Sequence, residues 1–300
     1  MIKQTLYFGN PAYLSLKHQQ LQIIRKKDKG EVITSRPIED IGVVILDHAQ
    51  ITITHHAIRA LQKNKAAIIS CDEQHLPSSL MLPIEGNTLQ SKVYRHQLAA
   101  SLSLTKGLWQ QTVVAKIQNQ IKVLELYGRS TKRLQVLIKR VGSGDPKNIE
   151  GQASAYYWAR LLPGMKRDQD GDPPNNLLNY GYTIIRSMVA RSLVASGLHP
   201  TVGIFHKNQY NAYCLVDDIM EPYRPFVDVL VMQIIEGNEN LELFLSKSDR
   251  VQLLNVMSAD AIYGKKRSPL MVGMSMTTAS LVHCYQGTKR KLKYPLIPIK

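Results

Sequence analysis

The sequence predicts an α+β protein, a strand-rich first part followed by a larger helix-rich part, and three observations carry the prediction. Up to about residue 80, β-branched and apolar residues gather in partly alternating runs punctuated by Gly30, Pro37 and Gly42. Between Pro83 and Pro146 there is no proline, and apolar residues recur at helical spacing. Between these textures lies "HLPSSLMLPIEGN" (75–87), whose two Pro, two Ser and one Gly read as a connection.

The elements follow in order. "YLSLKHQQLQIIRK" (13–26) and "GVVILDHAQITIT" (42–54) read as strands, "THHAIRALQKN" (54–64) as a short helix and "AAIISC" (66–71) as another strand. The expected division is 1–83 for a β-rich domain, 84–92 for a linker and 93–300 for a helical domain. Residues 93–126 have helical spacing, whereas "PGMKRDQDGDPPNN" (163–176) reads as a disordered loop. Its Asp168, Asp170 and Asp172 do not make a calcium loop, because Gly171 comes too early and Asn179 stands where the bidentate Glu belongs. Residues 177–200 read as a helix closed by Gly197 and stopped by Pro200, and 226–235 as a largely buried helix.

Charge says more about partners than composition does. The net charge is +15, and it comes from two segments: 101–147 holds nine Lys or Arg against two acids, and 261–300 holds eight against none. A basic excess concentrated in this way is the footprint of phosphate-backbone binding, because neutralised phosphates release condensed counterions. A merely solubilising surface is the plainer alternative. No apolar run reaches the ~18 residues of a bilayer span, and "MIKQTLYFGN" lacks a signal peptide's cationic start and long apolar core, so a cytoplasmic, non-membrane protein is expected. Cys71, Cys214 and Cys284 form no C-x-x-C pair, which argues against a zinc site or disulfide framework. There is no G-x-S-x-G elbow, H-E-x-x-H or Walker loop.

Candidate chemistry lies in two places. "NIEGQASAYYWARLL" (148–162) brings Glu150 to the start of a helix, and "TVGIFHKNQYNAYCLVDDIMEPYRPFVD" (201–228) holds His206, Asp217, Asp218 and Glu221. Pro222 biases Glu221 away from helical torsions, placing it at a chain corner. An imidazole with several carboxylates suits Mg2+ or Mn2+, which can polarise a phosphodiester. On spacing alone the plain readings stay open: His206 as a packed residue, Asp217 and Asp218 as helix caps, and Glu150 as a charge meeting the helix dipole.

The run from Gly142 to Trp158, the segment 175–228, and "GNPAYLSLKHQQLQI" with "RPIEDIGVVILD" resemble the CRISPR-associated adaptation integrases, the Cas "one" family. The resemblance spans nearly the whole chain and thins over 88–140 and after 240. It implies a small β-sandwich-like N-terminal domain involved in dimerisation, a flexible linker and an all-α catalytic domain. It also implies catalytic and metal-binding roles for Glu150, His206 and Glu221, with Asp218 as an auxiliary carboxylate and Mg2+ or Mn2+ as cofactor. The three side chains are then expected to converge. The implied reaction joins prespacer 3′-hydroxyl ends to repeat-boundary phosphodiesters, alongside DNA endonuclease activity. Implied partners are double-stranded DNA, a second copy of the chain and a dimer of the small Cas "two" protein. The "MEPYRP" context resembles the type II branch, which adds an RNA-guided nuclease and an accessory adaptation protein.

Overall fold

The computed structural model describes residues 3–27, 30–73, 75–168, 172–237 and 245–298. The chain divides into two compact units, 1–86 and 87–300.

The first unit contains β1 (Gln4–Phe8), β2 (Ala12–Lys17), β3 (Gln20–Lys27), β4 (Gly30–Pro37), β5 (Ile41–Leu46), β6 (Ile51–Ile53), α1 (His55–Lys63), β7 (Ala67–Cys71) and β8 (Pro77–Met81). The strands make two four-stranded sheets, ordered β4-β3-β2-β6 and β1-β5-β7-β8. Alternation does its expected work in β2, where Ala12 and Leu14 are buried and Tyr13 faces out. Strand β5 pairs in parallel with both β1 and β7, and its Ile41, Val43, Val44 and Ile45 are all buried. One apolar core joins Phe8, Leu14, Leu21, Ile41, Val44 and Ile68 to Ala57 and Leu61 of α1. That helix begins where the Thr54 side chain accepts a hydrogen bond from the Ala57 N–H at 3.3 Å.

Each of the stretches 13–26 and 42–54, which read as strand, holds two strands. Residues 13–26 fold back at His18 and Gln19, both at positive φ (49° and 58°), so that Lys17 pairs with Gln20. This is a two-residue hairpin turn made without the Gly or Asn that usually announces one. Residues 42–54 divide between β5 and β6, which lie in different sheets. In the proposed connection, Pro77–Met81 is a strand paired antiparallel with β7.

The second unit contains α2 (Gln90–Leu98), α3 (Leu102–Leu126), α4 (Lys132–Leu137), α5 (Ile149–Leu161), α6 (Asn175–Ala195), α7 (Cys214–Met220), α8 (Arg224–Gly237), α9 (Lys247–Leu254), a hairpin of β9 (Asp260–Tyr263) and β10 (Lys266–Pro269), and α10 (Leu270–Tyr285). The hairpin is the one β element that this unit adds, among the described residues, to an otherwise helical fold. The helical spacing over 93–126 is met by two helices, the end of α2 and α3, and Ser101 caps the start of α3 by accepting from the Leu104 N–H at 3.2 Å. Helix α6 ends with Gly197 at φ 77°, and the Leu198 N–H returns to the Leu193 carbonyl at 2.9 Å. Residues 169–171, including Asp170 of the expected loop, lie outside the described residues, while Asn175 and Asn176 already belong to α6.

Helix α3 organises the unit. It packs against α5, α8 and the 3-10 turn Glu221–Tyr223. Its buried Asn119 donates to the Pro222 carbonyl at 2.7 Å and the Pro295 carbonyl at 3.0 Å, and accepts from the Ile297 N–H at 3.0 Å. Gln111 likewise donates to the Arg290 carbonyl and accepts from the Leu292 N–H. The chain after α10 is therefore fastened along α3 as a strap. No helix among the described residues is long and apolar enough to cross a membrane.

Candidate active site

Glu150 is the second residue of α5, and three capping interactions fix its backbone. The Asn148 side chain accepts from the Gly151 N–H at 3.1 Å. Buried Asp145 accepts from the N–H groups of Ile149 and Glu150, each at 2.9 Å. The loop before α5 is tied to α3 by the Gly144 N–H, which donates to the Lys106 carbonyl at 2.9 Å. Glu150 thus stands at a capped helix start, where the positive end of the helix dipole favours a carboxylate, and its side chain accepts from Ser154 at 3.3 Å.

Glu221 departs from its expected chain corner. Its φ and ψ are −52° and −46°, which are helical values, and the chain runs from α7 through the 3-10 turn into α8. Pro222 is accommodated because it falls in the first turn of the next helical segment, where a missing N–H removes no bond. One Glu221 oxygen accepts from Arg224 Nε at 2.8 Å, and the other lies 2.5 Å from Lys116 Nζ. Lys116 also pairs with Glu150. The two glutamates, 71 residues apart in sequence, are therefore joined through one ammonium group of α3. Burial pushes the Glu221 carboxyl up, but the charges of Arg224 and Lys116 outweigh it and hold the group at about 2. Burial pushes Lys116 down, while Glu221 and Glu150 more than reverse this, so its pKa is raised.

His206 is fastened to a different carboxylate. Asp218, fully buried on α7, accepts from the N–H groups of Ile204 (2.6 Å), Phe205 (3.0 Å) and His206 (3.2 Å), and lies 2.7 Å from His206 Nδ1. An ionised carboxylate only accepts, so the Nδ1 carries the proton and Nε2 is left as the basic nitrogen of the neutral ring. The hydrogen bond to Asp218 raises the His206 pKa; burial opposes it, and the charges of Asp218, Glu221 and Asp217 reinforce it. Gly203 makes this wrap possible. A Cβ there would collide with the His206 carbonyl oxygen and come within 2.9 Å of the Asp218 carboxylate. The indole of Trp109 stacks on Phe205 with centroids 4.3 Å apart and meets the His206 ring edge-on at 5.8 Å.

The structure thus joins Glu150 to Glu221 and His206 to Asp218, and α7 carries Asp218 three residues before Glu221. Among the described residues, no three His, Cys, Asp or Glu side chains are grouped as a metal cage, so the expected convergence of Glu150, His206 and Glu221 is not met: the two glutamates meet through Lys116, and His206 is held by Asp218. Asp217 is engaged elsewhere, paired with Arg186 at 2.7 Å. Sequence reasoning missed Lys116, counting it within a basic surface; it is the one buried cation of the nine in 101–147. Its position among Val113, Ile117 and Gln120 at helical spacing is the signal that could have found it. Also missed is a cavity of about 280 Å³ beside the site, lined by Lys116, Trp158, Tyr182, Glu221, Arg224 and Asp228. Buried Asp228 accepts from Tyr157 (2.7 Å) and Tyr182 (2.6 Å), and burial pushes its carboxyl up to about 6 against those hydrogen bonds.

The donor set fits a hard divalent cation in kind: two carboxylates and a ring nitrogen whose partner nitrogen is already bound. That Glu150 and Glu221 already share one cation, Lys116, is the structural observation in favour of the fit.

The CRISPR-associated endonuclease Cas1 of Neisseria meningitidis is 38% identical over 238 residues, covering 79% of this chain and 77% of that protein. A second endonuclease of that name, from Pyrobaculum aerophilum, is 30% identical over 72% of this chain and 79% of its own length. Among solved structures, a casposase bound to integration product matches with a TM-score of 0.80 at 21% identity, over 98% of this chain and 93% of that one. A Cas1 protein from Thermotoga maritima matches with a TM-score of 0.73 at 16% identity, over 99% of this chain and all of that one. At such identities the structural likeness is one of fold. The sequence profile of the CRISPR associated protein Cas1 matches residues 6–261, and with that extent of agreement the chain belongs to the Cas1 family.

Proposed function

We propose that this chain is the divalent-metal-dependent integrase of CRISPR adaptation, which joins prespacer 3′-hydroxyl ends to repeat-boundary phosphodiesters. The observation that carries the reading is the sharing of one cation by Glu150 and Glu221; His206, oriented by Asp218 three residues before Glu221, supports it. Glu150, Glu221 and His206 Nε2 would hold Mg2+ or Mn2+. Bound there, the ion would polarise the scissile phosphate and favour the departing oxygen. In the reaction, the 3′-oxygen forms a new bond to phosphorus, its proton passes to solvent, and the bond to the repeat's 3′-oxygen breaks.

The protein residues contribute position. Asp218 holds the His206 ring and its loop against α7, and the capped start of α5 holds Glu150. Exposed cations of the two basic segments supply backbone contacts to double-stranded DNA. A second copy of the chain, through residues 1–83, and a dimer of the small Cas2 protein would complete the platform in the cytoplasm. A type II RNA-guided nuclease and an accessory adaptation protein would attend it. The relatives are named as endonucleases, which favours nuclease chemistry and leaves a second reading: a general metal-dependent nuclease on branched or single-stranded DNA.

Purified protein with its small partner, Mn2+, a short duplex and a supercoiled repeat-bearing plasmid should yield joined product. Glu150→Gln, His206→Ala and Glu221→Gln should each abolish joining. Cutting without joining, independent of the repeat, would favour the general nuclease. Salt-sensitive binding with no strand chemistry would reduce the chain to a DNA-binding scaffold.

A further inference from the structure

Lys116 is the feature of the site that the proposed chemistry does not use. It extends from the middle of α3, is 8% exposed, and reaches both glutamates. Its reach is set by packing: α3 lies against both α5, which carries Glu150, and the 221–223 turn, which carries Glu221. Without a cation between them, Glu150 and the buried Glu221 would oppose one another as like charges. Arg224 balances only one of the two, from the far side of Glu221.

Counting charges shows what this arrangement does. Glu150 and Glu221 carry two negative charges, and Lys116 and Arg224 carry two positive ones, so the four groups are neutral as they stand. A divalent cation entering here faces carboxylates already occupied by a bound ammonium. Ammonium and metal compete for the same oxygens, and after metal entry the cluster holds a positive excess that a phosphodiester could neutralise.

We propose that Lys116 is an internal counter-ion that holds Glu150 and Glu221 together before metal arrives and that the metal must displace. This rests on the metal-binding role proposed above. Lys116 is on this view a positioning residue, acting through the two carboxylates. A lysine suits the role because its ammonium is a single point charge on a flexible stem, able to leave the pair without moving α3.

The test is Mn2+ binding by calorimetry on the full-length protein without DNA, comparing wild type with Lys116→Met and with Lys116→Gln, which keeps a polar end. Circular dichroism checks folding, and melting is followed with and without Mn2+. Both variants should melt several degrees lower than wild type without metal, bind Mn2+ at least about tenfold more tightly, and gain more on adding it. Folded variants that bind Mn2+ as wild type does, or more weakly, overturn the counter-ion role and leave the metal site standing. If wild type and both variants fail to bind Mn2+ at all, the metal site falls and the counter-ion role falls with it.

Discussion

Two carboxylates on neighbouring turns, Asp218 and Glu221, are both buried and ionic, yet they are satisfied in opposite ways. Asp218 is held by three backbone N–H groups and a ring nitrogen. Glu221 is held by the side chains of Arg224 and Lys116. Backbone donors cannot leave without unfolding their loop, whereas an ammonium can be exchanged for another cation. Asp218 is therefore built as a fixture and Glu221 as a site of exchange. That contrast assigns them different work although both are acids in one short motif.

Breaking the fixture should have the largest effect. Asp218→Asn puts an amide donor where donors already converge, and the loss should be on the order of 3 kcal/mol or more, with joining abolished. Gly203→Ala attacks the same wrap from the other side, since its Cβ meets the His206 carbonyl and the Asp218 carboxylate. It should lower the melting temperature and abolish joining while leaving Glu150, Lys116 and Glu221 in place. Near-wild-type melting for both variants would show that the loop does not depend on Asp218.

Substitutions at the exchange site should separate stability from activity. Glu221→Gln leaves Lys116 and Arg224 without their shared buried partner and should destabilise the fold by about 3 kcal/mol. Glu150 is the more accessible, with a side chain 26% exposed, so Glu150→Gln should stay within about 1 kcal/mol of wild type. Joining should vanish in both. Equal destabilisation in chemical denaturation would contradict the difference in burial.

Acidity sharpens the comparison through its signs. Glu221 has its pKa depressed from 4.5 to about 2, so its stabilisation is present above 4.5 and lost as pH falls toward 2. Asp228 is raised from 3.8 to about 6, so its ionisation weakens the fold as pH rises across that interval, and Asp228→Asn should remove that decline. His206 is raised above 6.5: its stabilisation is complete below 6.5 and lost as pH rises through the folded value. The same protonation opposes metal binding, so Mn2+ affinity should fall on acidification with a midpoint above 6.5. Denaturation and metal titration across pH measure these opposing trends.

How much of this was legible in the sequence depended on whether a feature was local. Strand alternation in β2, the proline-free helical stretch and the Gly197 stop are local, and they read correctly. The turn at His18 and Gln19 did not, because neither residue advertises positive φ and tertiary pairing imposed it. Glu221 was expected outside helical torsions, since the proline rule is a local preference that α3 overrides by holding the Pro222 carbonyl through Asn119. Glu150, His206 and Glu221 were named through family resemblance; spacing alone left them ordinary. Lys116 was invisible to a charge count, because net charge does not say which cation points inward.

The smallest expected effect lies on the exposed face of the strap after α10. Gln111 fixes the backbone at Arg290 and Leu292, Asn119 fixes it at Pro295 and Ile297, and Tyr294 meets Thr112 at 2.8 Å. Lys289, Arg290, Lys291 and Lys293 remain exposed on this anchored backbone. Unlike Lys116, they pair with no carboxylate among the described residues, and on the proposed function their charge would serve phosphates. Replacing Lys289 and Lys291 by Ala should leave melting within about 0.5 kcal/mol of wild type. It should also reduce the slope of log affinity for duplex DNA against log salt by about one unit per lost contact. An unchanged slope would remove the strap from the DNA surface; a lowered melting temperature would show that these lysines, like Lys116, serve the fold.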